Sequence, residues 1–195
     1  MKKNVGILIF DDAEVLDFAG PFEVFAIASE VHDFSLYDVF TVARHMKPVR
    51  AVNGLLVTPN YDFSNHPPID ILIVSGGQGT RALLRDQEHH DWLQRVHRTT
   101  EYTLSICSAA RIFGALGLLD RKPYCTHHQV YDHLKEIVPT GQPQNDRRFV
   151  QTDERLYTSG GISAGIDLSF HILEQRHGKE VAVRTAEYME YRYTP

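Results

Sequence analysis

Cysteine is scarce in this 195-residue chain: Cys107 and Cys125 are the two present, too few for a disulfide framework. No Cys-x-x-Cys or His-Glu-x-x-His spacing accompanies the 11 histidines, and Cys125 with His127 is a ligand pair without further partners. No metal is expected, and no other cofactor. A basic block is also missing, because 25 Asp and Glu outnumber 20 Lys and Arg to leave a net charge of -5. A nucleic-acid backbone therefore finds no broad patch to bind. No apolar run is long enough to cross a bilayer. The short run from Val5 to Phe10 follows Met1-Lys2-Lys3-Asn4, is closed by Asp11 and Asp12, and lacks a small-residue cleavage site. It is expected to be a first strand and not a secretion signal, which assigns the chain to the cytoplasm with no membrane partner. Repeats, low-complexity tracts and linkers are absent too, since Pro67-Pro68 and Pro139 to Pro143 are loop-sized. One domain over residues 1–195 is expected, and 43% hydrophobic content is enough for a sizeable core.

What is present is one unbroken alternation of strand and helix patterns. Val5 to Phe10, Val39 to Ala43, Leu55 to Pro59, Ile69 to Val74 and Thr103 to Ile106 are apolar and rich in β-branched residues, as strands are. Ile69 to Val74 is continuously apolar, which suits a strand covered on both faces. Helices are expected from Pro21 to Ala28, with Gly20-Pro21 at its start, and from Trp92 to Thr99, Ser108 to Leu116, Gln129 to Val138, Ile166 to His177 and Glu180 to Tyr191. Phe149 to Ser159 is expected to be a strand pair turning at Asp153-Glu154. The alternation predicts an α/β fold: a mainly parallel central sheet between helical layers.

In such a sheet, ligands bind outside the carboxyl ends of the strands. Three Gly- or Ser-rich turns follow strands there: Ser75 to Gly79, Cys107-Ser108, and Ser159 to Gly165. A cysteine in the first turn of a helix feels the positive end of the helix dipole, which favours thiolate and lowers its pKa. Cys107 is thus a candidate nucleophile, the alternative being a buried small apolar residue. Asp17 stands between the first strand and a helix, either to exchange a proton with thiolate or substrate or to cap the helix. Backbone N–H groups of Gly76, Gly77 and Ser108 are candidates for an oxyanion hole. Asp167, in the first turn of a later helix, is explained by the dipole alone or is an auxiliary site residue. His127 is either an auxiliary base or a polar residue at the sheet edge.

Taken together and in order, several stretches resemble the ThiJ/PfpI superfamily, which has a class I glutamine amidotransferase-like fold. They are Val5 to Pro21 with Phe22-Glu23-Val24-Phe25, Ser75-Gly76-Gly77, Ser105-Ile106-Cys107-Ser108 with Gly114 to Asp120, Cys125-Thr126-His127-His128, and Thr158 to Leu168. Leu16-Asp17-Phe18-Ala19-Gly20-Pro21 and Ser163-Ala164-Gly165-Ile166-Asp167 are most similar to two branches, the isonitrile hydratases and the ligand-domain halves of AraC-type regulators. The resemblance implies a flavodoxin-like three-layer sandwich, a homodimer, Cys107 as the elbow nucleophile in a strained backbone conformation, and Asp17 as the acidic residue beside it. It implies a His near the cysteine at His127. Ser108 departs from the pattern, standing where protease-like members have His and isonitrile hydratases tend to have Thr, which argues against a Cys-His peptidase. The expected activity on a small molecule is hydration of an isonitrile to an N-substituted formamide. The alternatives are a small-molecule sensor, which no helix-turn-helix region accompanies here, and a redox-responsive or protein-repair role.

Overall fold

Runs of β-branched residues buried on both faces force these strands into the middle of the molecule. In the computed structural model, which describes residues 1–193, Ile71–Val74 is fully buried along its whole length. Residues 194 and 195, the last two of the expected domain, lie outside the described residues. The strands in chain order are β1 (Lys3–Leu8), β2 (Tyr37–Ala43), β3 (Val49–Arg50), β4 (Leu56–Val57), β5 (Tyr61–Asp62), β6 (Ile71–Val74), β7 (Tyr102–Ser105), β8 (Pro123–Tyr124), β9 (Gln142–Pro143), β10 (Phe149–Gln151) and β11 (Leu156–Ser159). The helices are α1 (Val15–Glu30), α2 (Thr80–Leu83), α3 (Gln87–His97), α4 (Ala110–Ala115), α5 (Tyr131–Ile137), α6 (Ala164–His177) and α7 (Lys179–Tyr188). Seven strands form the central sheet in the order β10-β11-β7-β6-β1-β2-β5, parallel throughout except for the β10–β11 pair. Helices α1, α6 and α7 pack together as one group, and α4 packs with α2 and α5 as another. The result is the expected α/β sandwich.

The sheet changes direction at its centre. From β1 the chain moves outward to β2, then crosses back to place β6 on the other side of β1, followed by β7 and β11. A switch of this kind opens a crevice at the carboxyl ends of the strands. The segments after β1, β6, β7 and β11 all leave the sheet at that end, and they carry Asp17, Gly76-Gly77, Cys107 and Gly160 to Ser163.

Three local expectations are corrected. Helix α1 starts at Val15, six residues before Pro21, and Pro21 lies inside it. The chain enters this helix early because the Glu14 N–H donates to the Gly76 carbonyl at 3.0 Å, which fixes its first turn against the loop after β6. An interior proline costs about 3 kcal/mol. Burial of Pro21 and close packing of Gly20 on Ile166 offset it, a Cβ at Gly20 falling 2.7 Å from Ile166 Cγ1. Helix α3 begins at Gln87, ahead of Trp92, because Asp86 caps it by accepting the His89 N–H at 3.2 Å. Leu55 to Pro59 contributes two strand residues, β4, paired with β3 in a separate hairpin and not in the central sheet.

Candidate active site

The turn after β7 is held in an unfavourable shape. Cys107 has φ 57°, a left-handed conformation that costs an L-residue about 1–2 kcal/mol. Ile106 is still extended, Cys107–Ala109 make one 3-10 turn, and α4 follows at once. From the loop after β8, the Thr126 hydroxyl donates to the Cys107 carbonyl at 2.8 Å and pins the turn. The backbone N–H groups of Ile162 and Ser108 face the sulfur.

Asp17 is fully buried in the first turn of α1, inside the helix and not ahead of it. Its Oδ2 accepts the Gly76 N–H at 3.0 Å, while its Oδ1 has no conventional hydrogen-bond partner among the described residues. Gly76 is the spacer between the two groups. A Cβ there would stand 2.7 Å from Asp17 Oδ2, 2.7 Å from the Ser108 nitrogen and 2.8 Å from Cys107 Cβ, so no larger residue fits without movement.

The two groups titrate together. Burial pushes the Asp17 carboxyl up to about 7, against the opposing pull of the Gly76 N–H and the Cys107 thiol. Burial, followed by the negative charge of Asp17, pushes the Cys107 thiol up to about 12, against the N–H groups of Ile162 and Ser108. The expectation of a lowered thiol pKa is therefore overturned. The 3-10 turn and the six residues of α4 supply too little field to offset burial beside a carboxylate. Near neutral pH the pair holds a thiol next to a half-ionised carboxyl, which suits transfer of one proton between them.

The other expected residues divide. The N–H groups of Gly76 and Gly77 are already engaged, the first by Asp17 and the second by Ser108 Oγ at 2.8 Å, so neither is available as an oxyanion donor in this structure. The donors facing Sγ are those of Ser108 and Ile162. The Ser108 hydroxyl donates back to the Gly77 carbonyl at 3.0 Å, so it holds the two loops together. His127 borders the pocket of Cys107. Its Nδ1 accepts the Gln129 N–H at 3.2 Å, which leaves the proton on Nε2, and burial with neighbouring His128 and Arg111 keeps it neutral by lowering its pKa. Asp167 does not join this group. It accepts from the Arg148 guanidinium and the Tyr191 hydroxyl, a surface tie between α6 and neighbouring segments. Cys125 is buried with its Sγ 3.3 Å from the carbonyls of Gln144 and Arg147, a structural thiol.

A pocket of about 260 Å³ opens over Cys107, walled by Glu14, Gln78, Arg81, Arg111, His127 and Ile162 among others. The most informative of these, Arg111, was not anticipated from the sequence. It stands four residues after Cys107, one helical turn on, as the single charge in the otherwise apolar Ala109-Ala110-Arg111-Ile112-Phe113, and that isolation was the available signal. Among the described residues no group of three or more His, Cys, Asp or Glu gathers as a metal site, and no helix is long and apolar enough to cross a membrane.

Residues 3–175 match the DJ-1/PfpI family. The chain is similar to an isonitrile hydratase of Pseudomonas putida, with 31% identity over 195 residues covering 100% of this chain and 81% of that protein. It is also similar to the HTH-type transcriptional regulator GbdR of Pseudomonas aeruginosa, with 26% identity over 97% of this chain and 51% of the regulator, so it spans about half of that relative. Among solved structures, a ThiJ/PfpI family protein from Pseudomonas syringae superposes with a TM-score of 0.86 at 25% identity, covering 100% of this chain and 77% of the other.

Proposed function

The chain belongs to the DJ-1/PfpI family, and on that premise we propose that it is a cysteine-dependent enzyme hydrating an isonitrile to the corresponding N-substituted formamide. The observation that carries this reading is the pairing of Cys107, on its strained turn, with a buried Asp17 whose carboxyl titrates near neutral pH. An acid poised close to the working pH is the most effective proton carrier. The full-length similarity to an isonitrile hydratase supports the choice of substrate.

The steps follow from the two groups. Ionised Asp17 takes the thiol proton, which also removes the negative charge that opposes thiolate formation. The sulfur then bonds to the terminal carbon of the isonitrile, and Asp17 delivers the proton to the same carbon, giving a thioimidate. Water adds across the carbon–nitrogen double bond of that adduct, its oxygen to carbon and its proton to nitrogen. The tetrahedral species then expels the Cys107 sulfur, which recovers a proton from the new hydroxyl as the formamide forms. The Ser108 and Ile162 N–H groups are placed to support negative charge at sulfur, and the His127 Nε2–H is a donor for the incoming water.

The test is turnover of a panel of alkyl and aryl isonitriles at neutral pH. Formamide should appear with wild type and vanish in Cys107→Ala, while His127→Ala should lose less than about tenfold because it carries no obligatory proton. No formamide above the Cys107→Ala background with any isonitrile would overturn the proposal. The similarity to a transcriptional regulator favours a second reading, a small-molecule sensor, for which saturable binding without turnover is the signature. We also propose a homodimer, for which the exposed Leu55 and Leu56 on the β3–β4 hairpin are apolar side chains to be covered. A monomer alone in sedimentation at micromolar concentration would exclude it.

A further inference from the structure

Arg111 is 3% exposed, yet no carboxylate lies within 4 Å of it among the described residues. Buried arginines are as a rule paired with an anion, because an unpaired buried charge is costly. The partners here are neutral acceptors: Nε donates to His133 Nδ1 at 3.0 Å and Nη1 donates to the Thr80 hydroxyl at 3.1 Å. These two bonds fix the plane of the guanidinium and leave three of its five N–H groups, both on Nη2 and one on Nη1, without a partner in the described structure. The same side chain lines the pocket over Cys107. Arg81 stands at that pocket as a second, exposed cation, and neither arginine forms an ion pair with Glu14 across from them. The network Gly77–Ser108–Thr80–Arg111 links this cation to the loops that set the elbow.

We propose that the pocket takes a small electrophile bearing a carboxylate, held by the free edge of Arg111 while the reactive carbon lies at Cys107 Sγ. The carboxylate matches the planar fork of two parallel N–H donors. A phosphate is a poorer match, because the backbone N–H groups of Gly76 and Gly77 that would complete a phosphate cradle are already bonded within the protein. The volume of about 260 Å³, roughly nine waters' worth, suits a molecule the size of an isocyano acid. The choice of an isonitrile as the electrophile rests on the hydratase reading; the carboxylate preference rests on Arg111.

Two near-isosteric pairs separate these claims. Calorimetry compares N-formylglycine with uncharged N-propylformamide, both product-like, and turnover compares isocyanoacetate with propyl isocyanide. Wild type should bind N-formylglycine at least about tenfold more tightly than N-propylformamide. Arg111→Gln should weaken N-formylglycine by about 30-fold or more while leaving N-propylformamide within about threefold, and Arg111→Lys should recover part of the preference. Equal binding of the two formamides to wild type, or binding of neither, overturns the carboxylate site, as does a preference unchanged in folded Arg111→Gln. If Arg111→Gln does not fold, the wild-type comparison and Arg111→Lys decide. Tight N-formylglycine binding without turnover of either isonitrile leaves the carboxylate site standing and overturns the hydratase reading; turnover of both isonitriles at equal efficiency does the reverse.

Discussion

Replacing the catalytic candidate Asp17 by Asn should make the protein more stable and less active at the same time. Burial holds the Asp17 carboxyl at about 7 in the folded chain, against an ordinary value of 3.8. Between these values the folded state keeps a proton that the unfolded state releases, so stability is present at low pH and is lost as pH rises through about 7. The gap, at 1.36 kcal/mol per pH unit, comes to about 4 kcal/mol when Asp17 is fully ionised. Asparagine keeps the shape and can still accept the Gly76 N–H, but it carries no charge to desolvate. Asp17→Asn should therefore exceed wild type by about 4 kcal/mol at pH 8, and this advantage should shrink by about 2.5 kcal/mol at pH 5. Urea denaturation of both proteins at the two pH values measures it, and every other titrating group cancels in the difference. Formamide production should fall severely in the same variant, because no exchangeable proton remains beside the sulfur. A stability gap that stays constant or narrows from pH 5 to pH 8 refutes the argument, since it would mean that Asp17 ionises in place at little cost.

Three further outcomes follow from the geometry of the elbow. Cys107→Gly should be more stable than Cys107→Ala by about 1 kcal/mol in urea, because glycine relieves the left-handed φ of 57° and alanine does not; both should be inactive. Gly76→Ala should destabilise the fold by about 1–3 kcal/mol and abolish turnover, since its Cβ meets the Ser108 nitrogen at 2.7 Å and separates Asp17 from Cys107; unchanged kinetics would contradict the spacer role. Sulfinate formation at Cys107 under peroxide, followed by mass spectrometry, should be slow at pH 7 and should accelerate as pH rises, because the thiol is held up at about 12; rapid pH-independent oxidation at neutral pH would favour the redox reading instead.

The strands were the most legible part of the fold, and the reason is local. Ile71 to Val74 is apolar at every position because helices cover both faces, a condition that leaves the same mark on any central parallel strand. Helix starts were harder to read where tertiary contacts set them. Gly20-Pro21 carries a sound local signal for a first turn, yet a backbone hydrogen bond from Glu14 to the loop after β6 begins α1 six residues earlier. That bond joins residues 62 positions apart, and no window of sequence contains it.

The site divides along the same line. Cys107 and Asp17 could be named because residue type and order around a strand-to-helix turn survive as a pattern, but their protonation could not, because it depends on what surrounds them. A helix N-terminus argues for a lowered thiol pKa, whereas burial of both groups on either side of Gly76 argues for the opposite, and the second effect is the larger here. The same dependence accounts for Gly76 and Gly77, whose N–H groups look free in sequence and are taken up by Asp17 and Ser108 in the fold. Arg111 is the reverse case. Its position one turn after Cys107 is plain in the sequence, but its meaning lies in what is missing around it, and the absence of a carboxylate partner can be established only once α2, α4 and α5 are packed together. A buried cation left uncompensated at the wall of a reactive-cysteine pocket is retained at a cost in stability. The cost is recovered only when an anion enters, so Arg111→Met, apolar and of similar length, should fold at least as stably as wild type without ligand and lose the added stability that N-formylglycine confers on wild type. Thermal denaturation with and without that ligand measures both effects; an unliganded Arg111→Met protein that is less stable by several kcal/mol would instead make Arg111 a structural strut through Thr80 and His133.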